Sequence, residues 1–377
     1  MNRFAKTATI LAAGVFGLAA CTNSAAPQEG EPAGPGSSAG GTGNYACPGG
    51  KLSAEGSSAQ QVAFESTMAA YGELCGNKAT INYNPTGSGN GIKAFNGGLV
   101  QFAGSDSALK SEAKEGESTS EVDAAKANCG SDAWNLPMVV GPIAVAFNVE
   151  GVDGLTLTPS LISQIFDGKI TKWNDPKIAE ANSGVTLPDT EIATFFRSDE
   201  SGTTENFQKF LSKTAEKDWT YEPSKTWPTK AGEGKAKSAG VAEAVNSTPN
   251  SISYMEWSYA KDNDLAIAKL DTGSGPAELN AESVGKAVND AEAKGQGNDL
   301  ALDLKYSDLS EGAYPLILVT YEIACSENKD PEQGALIKDF LSYMVSEENQ
   351  AALEEQGFAP LPTELRTKVA ASIDALK

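Results

Sequence analysis

With 377 residues, 50 acidic side chains and 29 basic ones, the chain carries a formal net charge of −21. So acidic a surface repels a nucleic-acid backbone, which removes that class of partner. The sequence holds no histidine, and this excludes Ser-His-Asp and Cys-His catalysis, imidazole metal sites and the usual neutral-pH proton switch.

The first predicted element is an address. Arg3 and Lys6 precede an apolar stretch at 8–20 that closes on Leu18-Ala19-Ala20-Cys21. A basic head, a short apolar run and small residues before a cut make a secretory signal. The run is shorter than the ~20 residues a bilayer span needs. A cysteine directly after Leu-Ala-Ala resembles the lipobox of bacterial lipoproteins, which implies a signal peptide at 1–20 and a lipid on Cys21. Residues 21–46 are mostly Ser, Gly, Ala and Pro, too poor in apolar side chains to pack. They read as a flexible tether whose ends sit about 25–30 Å apart. The expected location is outside the cytoplasmic membrane, held there by the N-terminal lipid.

The remaining body of about 330 residues is long enough to split its core into two lobes. Strand-like and helix-like segments alternate, which predicts an α/β fold. Strands are expected at 52–54, 80–83, 100–103, 138–148, 192–196, 251–255 and 315–325. Helices are expected at 58–74 and from about 91. Thr158-Pro159 and Asp175-Pro176 each pair a cap residue with proline at the first helical position, so each opens a helix. Further helices start at Ser201, run through Leu336, Ile337, Phe340, Leu341 and Met344 at helical spacing, and close the chain from about 364. Residues 111–132 are polar and read as an exposed excursion, residues 285–299 are polar and poor in apolar anchors, and Lys225, Lys230, Lys235 and Lys237 read as a solvated loop face. The long apolar strands near 140 and 320 bracket a central block. This layout predicts a lobe at 47–140 and 315–377, a lobe at 141–314, two crossover strands forming a hinge, and a ligand cleft between the lobes.

Five cysteines less Cys21 leave Cys47, Cys75, Cys129 and Cys325. Four cysteines in an exported protein suggest two disulfides, with three connectivities open. Cys47–Cys75 is favoured because it clips the start of the body to the end of its first helix, and Cys129–Cys325 follows. A four-thiolate zinc site is the alternative, but no pair has short ligand spacing.

Four small polar clusters stand at strand-to-helix junctions: Gly56-Ser57-Ser58, Gly87-Ser88-Gly89-Asn90-Gly91, Gly104-Ser105-Asp106, and Arg197 through Thr204. Helix starts offer free backbone N–H groups and the positive end of the dipole. Glycine lets an anion approach and hydroxyls add donors, which together hold a tetrahedral oxyanion without much net positive charge. Each cluster alone also fits an ordinary cap, turn or surface ion pair.

Together the clusters resemble the phosphate-binding protein of bacterial phosphate ABC importers. The most specific stretch is Ile170-Thr-Lys-Trp-Asn-Asp-Pro176, preceded by Phe166-Asp-Gly-Lys169. Next come Arg197-x-Asp199-x-Ser201-Gly202-Thr203, the run from Ser251 to Ala260, Tyr314-Pro315-Leu with Thr320-Tyr-Glu, and Gly357-Phe-Ala-Pro-Leu-Pro362. The resemblance covers about 50–375 and implies a two-lobed periplasmic-binding-protein-like fold of type II. It also implies a monomer that is not an enzyme and needs no cofactor or metal, with a membrane permease as partner. By motif position, Ser58 gives a hydroxyl and Ala59 a backbone N–H, although Gly-Ser-Ser-Ala-Gln leaves Ser57 as a second choice for the first donor. Ser88 is the donor of the second loop, and Asp106 is the site carboxylate. Arg197 grips two phosphate oxygens and is oriented by Asp199. Ser201, Gly202 and Thr203 are the donors of the other lobe.

Selection follows from Asp106. A carboxylate facing an anion is favourable only if the anion brings a proton. Phosphate near neutral pH keeps one and sulfate keeps none, so sulfate leaves a buried acceptor unpaired at a cost of about 1–3 kcal/mol. The alternatives are a receptor for sulfate or molybdate, against which Asp106 argues, and a serine phosphatase using Ser201 or Ser88. The site motifs supply that phosphatase with neither histidine nor lysine as a base.

Overall fold

The computed structural model describes residues 44–377 apart from Glu115 and Glu117. The signal at 1–20, Cys21 and most of the tether lie outside the described residues. The chain begins with β1 (Gly50–Gly56), α1 (Gln61–Leu74), β2 (Ala79–Asn84), α2 (Ser88–Asn96), β3 (Phe102–Ser105) and α3 (Glu121–Cys129). The 16-residue β4 (Ala133–Asn148) follows. Next come β5 (Thr156–Leu157), α4 (Pro159–Phe166), α5 (Pro176–Ala181), β6 (Ala193–Arg197), α6 (Gly202–Thr214), β7 (Glu233–Lys235) and α7 (Lys237–Ser247). β8 (Ser251–Glu256), α8 (Trp257–Asp262), β9 (Ala266–Ile267), β10 (Lys269–Asp271), β11 (Pro276–Ala277), α9 (Ala281–Asn289), β12 (Glu292–Ala293) and β13 (Leu302–Asp303) complete the middle. β14 (Ile317–Cys325), α10 (Pro331–Met344), α11 (Glu347–Glu354) and α12 (Thr363–Asp374) end the chain.

The helix-opening signals act as read. The Thr158 hydroxyl accepts from Leu161 N at 3.2 Å ahead of Pro159, and Asp175 accepts from Lys177 N at 2.9 Å ahead of Pro176. Between these two helices, the Ile170–Pro176 stretch is a structural loop pinned by Trp173, whose buried indole donates to Asn250 O at 3.1 Å.

Nine strands form one sheet among the described residues, in the order β2-β1-β3-β14-β4-β8-β6-β7, with β9 beside β4. β4 joins its two halves. Residues 133–142 pair with β14, and residues 143–148 pair with β8. Its near-continuous burial explains its sequence, since a strand covered on both faces needs no polar alternation. A second passage between the halves precedes β14. There Ile143 N donates to Leu316 O at 3.0 Å and the Tyr314 hydroxyl to Ile143 O at 2.9 Å. Within the first half β1 runs parallel to β2 and β3, and within the second β6 runs parallel to β7 and β8.

Disulfides join Cys47 to Cys75 and Cys129 to Cys325. All four sulfurs are therefore consumed and the zinc alternative falls. The expected exposed excursion is also corrected, and the second polar stretch is partly helical. Residues 111–132 include α3, anchored by buried Ala125 and by Cys129, and residues 285–299 include most of α9, which buries Val284, Ala287 and Val288. Their apolar side chains are few and small, so periodicity shows them weakly.

Candidate functional site

Five loops converge, each following the carboxyl end of a parallel strand, which is where open α/β sheets place ligands. After β1, Ser57 and Ser58 are both fully buried. After β2, Gly87 adopts φ 101°, and Ser88 opens α2. A side chain at Gly87 would be strained at that φ and would stand 2.7 Å from an Asp199 carboxylate oxygen. β3 runs directly into Asp106, β6 ends on Arg197, and Ser201 caps α6 by accepting from Thr204 N at 3.2 Å.

Asp106 is 3 % exposed and carries no cation partner among its hydrogen bonds. Its carboxylate accepts from Ser57 Oγ at 2.6 Å, Thr320 Oγ1 at 2.7 Å and Ser88 Oγ at 3.0 Å. Burial pushes its pKa up to about 6, against the pull of those hydroxyls. An ionised carboxylate offers about four lone-pair sites, so three hydroxyls leave room for one more donor. Behind it, Glu322 on β14 is fully buried and pushed up to about 8 by burial, with the Asp106 charge adding. Burial thus favours the neutral form of Glu322, which limits the negative charge it adds to the site.

Arg197 is equally buried but is held in the opposite way. Its Nε and Nη2 donate to the two Asp199 oxygens at 2.8 and 2.5 Å, a fork-to-carboxylate pair. Burial pushes the Asp199 carboxyl up, but the guanidinium more than offsets this and holds it below the ordinary carboxylate range. Asp199 also accepts from Lys237 N at 2.9 Å. The remaining Nη1 reaches Ser238 Oγ at 3.0 Å and Thr203 Oγ1 at 3.5 Å. Thr203 in turn donates to buried Glu256 at 2.5 Å, so its hydroxyl is already committed.

The two groups of residues meet. Ser58 Oγ lies 3.1 Å from Ser238 Oγ, and Asn206 Nδ2 donates to Asp106 O at 2.7 Å. A methyl group on Gly202 would stand 2.5 Å from Asp106 Cβ and 2.6 Å from Ser88 Oγ, so only glycine lets α6 begin this close. With Thr204 N taken by Ser201, the first-turn N–H groups of Gly202 and Thr203 have no intrahelical acceptor.

The sequence-predicted residues Ser58, Ala59, Ser88, Asp106, Arg197, Asp199, Ser201, Gly202 and Thr203 thus form one connected cluster. Both candidates of the first loop point inward, Ser57 to Asp106 and Ser58 to Ser238. Ala59 N donates to Ser57 Oγ at 3.0 Å. Sequence reasoning missed Ser238 and the role of Thr320. Ser238 belongs to a fifth strand-to-helix junction, hidden because β7 has only three residues, although Ser238-Ala-Gly240 repeats the small polar signal. Lys225, expected in solvent, is 5 % exposed and faces Glu121 and Glu205.

Fold and site together define a solute-binding protein of the two-lobed, type II kind. Residues 31–348 match the model of the PBP superfamily domain. Phosphate-binding protein PstS3 of Mycobacterium bovis (strain BCG / Pasteur 1173P2) is 38% identical over 382 residues, covering 100% of this chain and 99% of its own. Phosphate-binding protein PstS 2 of Mycobacterium tuberculosis (strain ATCC 25618 / H37Rv) is 40% identical over 377 residues, covering 98% and 97%. The chain belongs to the PBP superfamily and, within it, to the family of phosphate-binding proteins. In fold it is similar to the high affinity periplasmic phosphate-binding protein PfluDING, solved with phosphate, at TM-score 0.69 and 22% identity over 85% of this chain and 93% of that one. It is also similar to the phosphate-binding protein from Stenotrophomonas maltophilia, at TM-score 0.66 and 20% identity over the same shares, 85% and 93%.

Proposed function

We propose that this chain binds one inorganic phosphate ion with high affinity outside the cytoplasmic membrane and delivers it to an ABC-type phosphate importer without altering it chemically. The observation that carries this reading is the pairing of a buried acceptor, Asp106, with a buried guanidinium, Arg197, from opposite halves of the sheet. Full-length identity to phosphate-binding proteins of mycobacteria supports it. We read the lobes as 47–140 with 315–377 and 141–314, a division that the change of partner along β4 at 142–143 supports. Arg197 Nη1, the N–H groups of Gly202 and Thr203, and the hydroxyls of Ser58, Ser201 and Ser238 surround the anion, and Ser88 lines the site beside them with its proton on Asp106 at 3.0 Å. Asp106 accepts the proton that phosphate retains. Asp199 holds the guanidinium flat and charged. Cys21 carries the lipid, and the tether at 21–46 lets the body reach its permease.

Titration of the purified protein with phosphate, followed by tryptophan fluorescence and calorimetry with sulfate as the control, tests the reading. Saturable binding of phosphate with sulfate rejected supports it. Equal binding of both anions, or hydrolysis of a phosphomonoester by the same preparation, contradicts it.

A further inference from the structure

Glu205 is the residue whose placement the anion site does not explain. It sits in the first turn of α6, two residues past Thr203, and is 2 % exposed. A carboxylate buried there is unfavourable twice: it loses its hydration, and it adds negative charge close to a bound anion. Its partners account for it. From its own half of the sheet, Lys209 Nζ lies 3.4 Å and Lys225 Nζ 3.6 Å away. From the other half, Ser107 Oγ donates at 2.8 Å and Lys110 Nζ lies at 3.0 Å. Lys225 also crosses the division to Glu121 on α3 at 3.5 Å, while Lys110 N donates to Glu121 at 3.0 Å. Burial pushes the Glu205 carboxyl up, yet Lys209, Lys225 and Lys110 hold it well below the ordinary carboxylate range, so it stays charged.

Resting on the phosphate reading, we propose that Glu205 is a positioning residue that latches the two lobes together over the anion. It touches Ser107, the neighbour of Asp106, and it follows Gly202 and Thr203 on the same helical turn. When anion binding draws α6 against the Asp106 loop, the same movement brings Glu205 to Ser107 and Lys110. Separating the lobes with the anion in place breaks those contacts and leaves the Glu205 carboxylate without two of its four partners, Ser107 and Lys110. Glu205 therefore slows anion release and leaves its capture unaffected. A second ion pair across the division, Lys93 with Glu200 at 2.7 Å, has side chains 58% and 34% exposed. Solvent screens that pair, and it serves as the control.

The test is stopped-flow and calorimetric phosphate binding to the full-length mature protein, comparing wild type with Glu205→Gln, Lys110→Met and Lys93→Met, together with melting temperatures with and without phosphate. The expected result for Glu205→Gln is release faster by about tenfold, association within twofold, and a phosphate-over-sulfate ratio unchanged. Its melting temperature falls more with phosphate than without. Lys110→Met, which loses one partly exposed partner, shows the same pattern at about threefold, and Lys93→Met releases phosphate like wild type. A latch is excluded if Glu205→Gln or Lys110→Met folds and releases phosphate at the wild-type rate. It is also excluded if melting falls equally with and without phosphate, which marks a purely structural ion pair. Should Glu205→Gln fail to fold, Lys110→Met decides. Wild-type protein that binds no phosphate overturns the phosphate reading and the latch with it.

Discussion

Asp106 and Arg197 are buried to nearly the same degree, yet their surroundings treat charge in opposite ways. Asp106 is wrapped by neutral hydroxyls from Ser57, Ser88 and Thr320, and its proton affinity rises. Arg197 is locked on a carboxylate and stays charged at every accessible pH. The difference separates two tasks. One half of the sheet reads whether the guest carries a proton, and the other half supplies attraction that does not depend on what the guest is.

Arg197→Ala should give the largest effect, because it removes a buried forked donor. Calorimetry should show phosphate affinity reduced by about 2–5 kcal/mol, roughly 30-fold to a few thousandfold, with the preference over sulfate retained. A preference that collapses with affinity would merge the two tasks into one. Asp106→Asn comes next. An amide can donate where the carboxylate could only accept, so phosphate should weaken and sulfate strengthen, with the ratio moving by about 1–3 kcal/mol. If that variant rejects sulfate as strongly as wild type, Asp106 is not the filter.

Titration of pH sharpens the same point without mutation. Burial raises the Asp106 pKa from 3.8 to about 6, so the acid is ionised above that value and takes up its proton as pH falls through it. A neutral carboxylic acid donates, and a fully ionised oxyanion then becomes acceptable. Competition between phosphate and sulfate should favour phosphate most at pH 8 and less at pH 5, and the Asp106→Asn variant should lose that slope. The smallest effect is expected from Ser238→Ala, which removes one neutral hydroxyl beside Arg197 Nη1. Its affinity should fall by about 0.5–1.5 kcal/mol, and fluorescence titration should find the preference over sulfate untouched.

Much of this site was legible in the chain because its chemistry sits where local sequence speaks clearly. A serine or glycine that follows an apolar strand and precedes a helix is visible from spacing, and all four such clusters were found. Resemblance then assigned roles to Asp106 and Arg197 that neither residue announces alone. The fifth loop stayed hidden because β7 is too short to show alternation, and Lys237 reaches α7 through φ 64° rather than through glycine. Thr320 was invisible for a different reason. It lies inside the apolar β14, and only the antiparallel pairing of β14 with β3 brings it beside Asp106. Lys225 read as a solvated loop lysine and Glu205 gave no signal of its own, since burial of ion pairs is a property of assembly and leaves no local pattern.

A crystal structure of the protein soaked with phosphate at pH 8 tests the central claim most directly. The account predicts one phosphate oxygen about 2.5–2.7 Å from the Asp106 carboxylate, the length of a charge-assisted O–H···O⁻ bond, and Arg197 Nη1 on the oxygens opposite. Phosphate bound elsewhere, or bound between these loops with no oxygen in reach of Asp106, would contradict it.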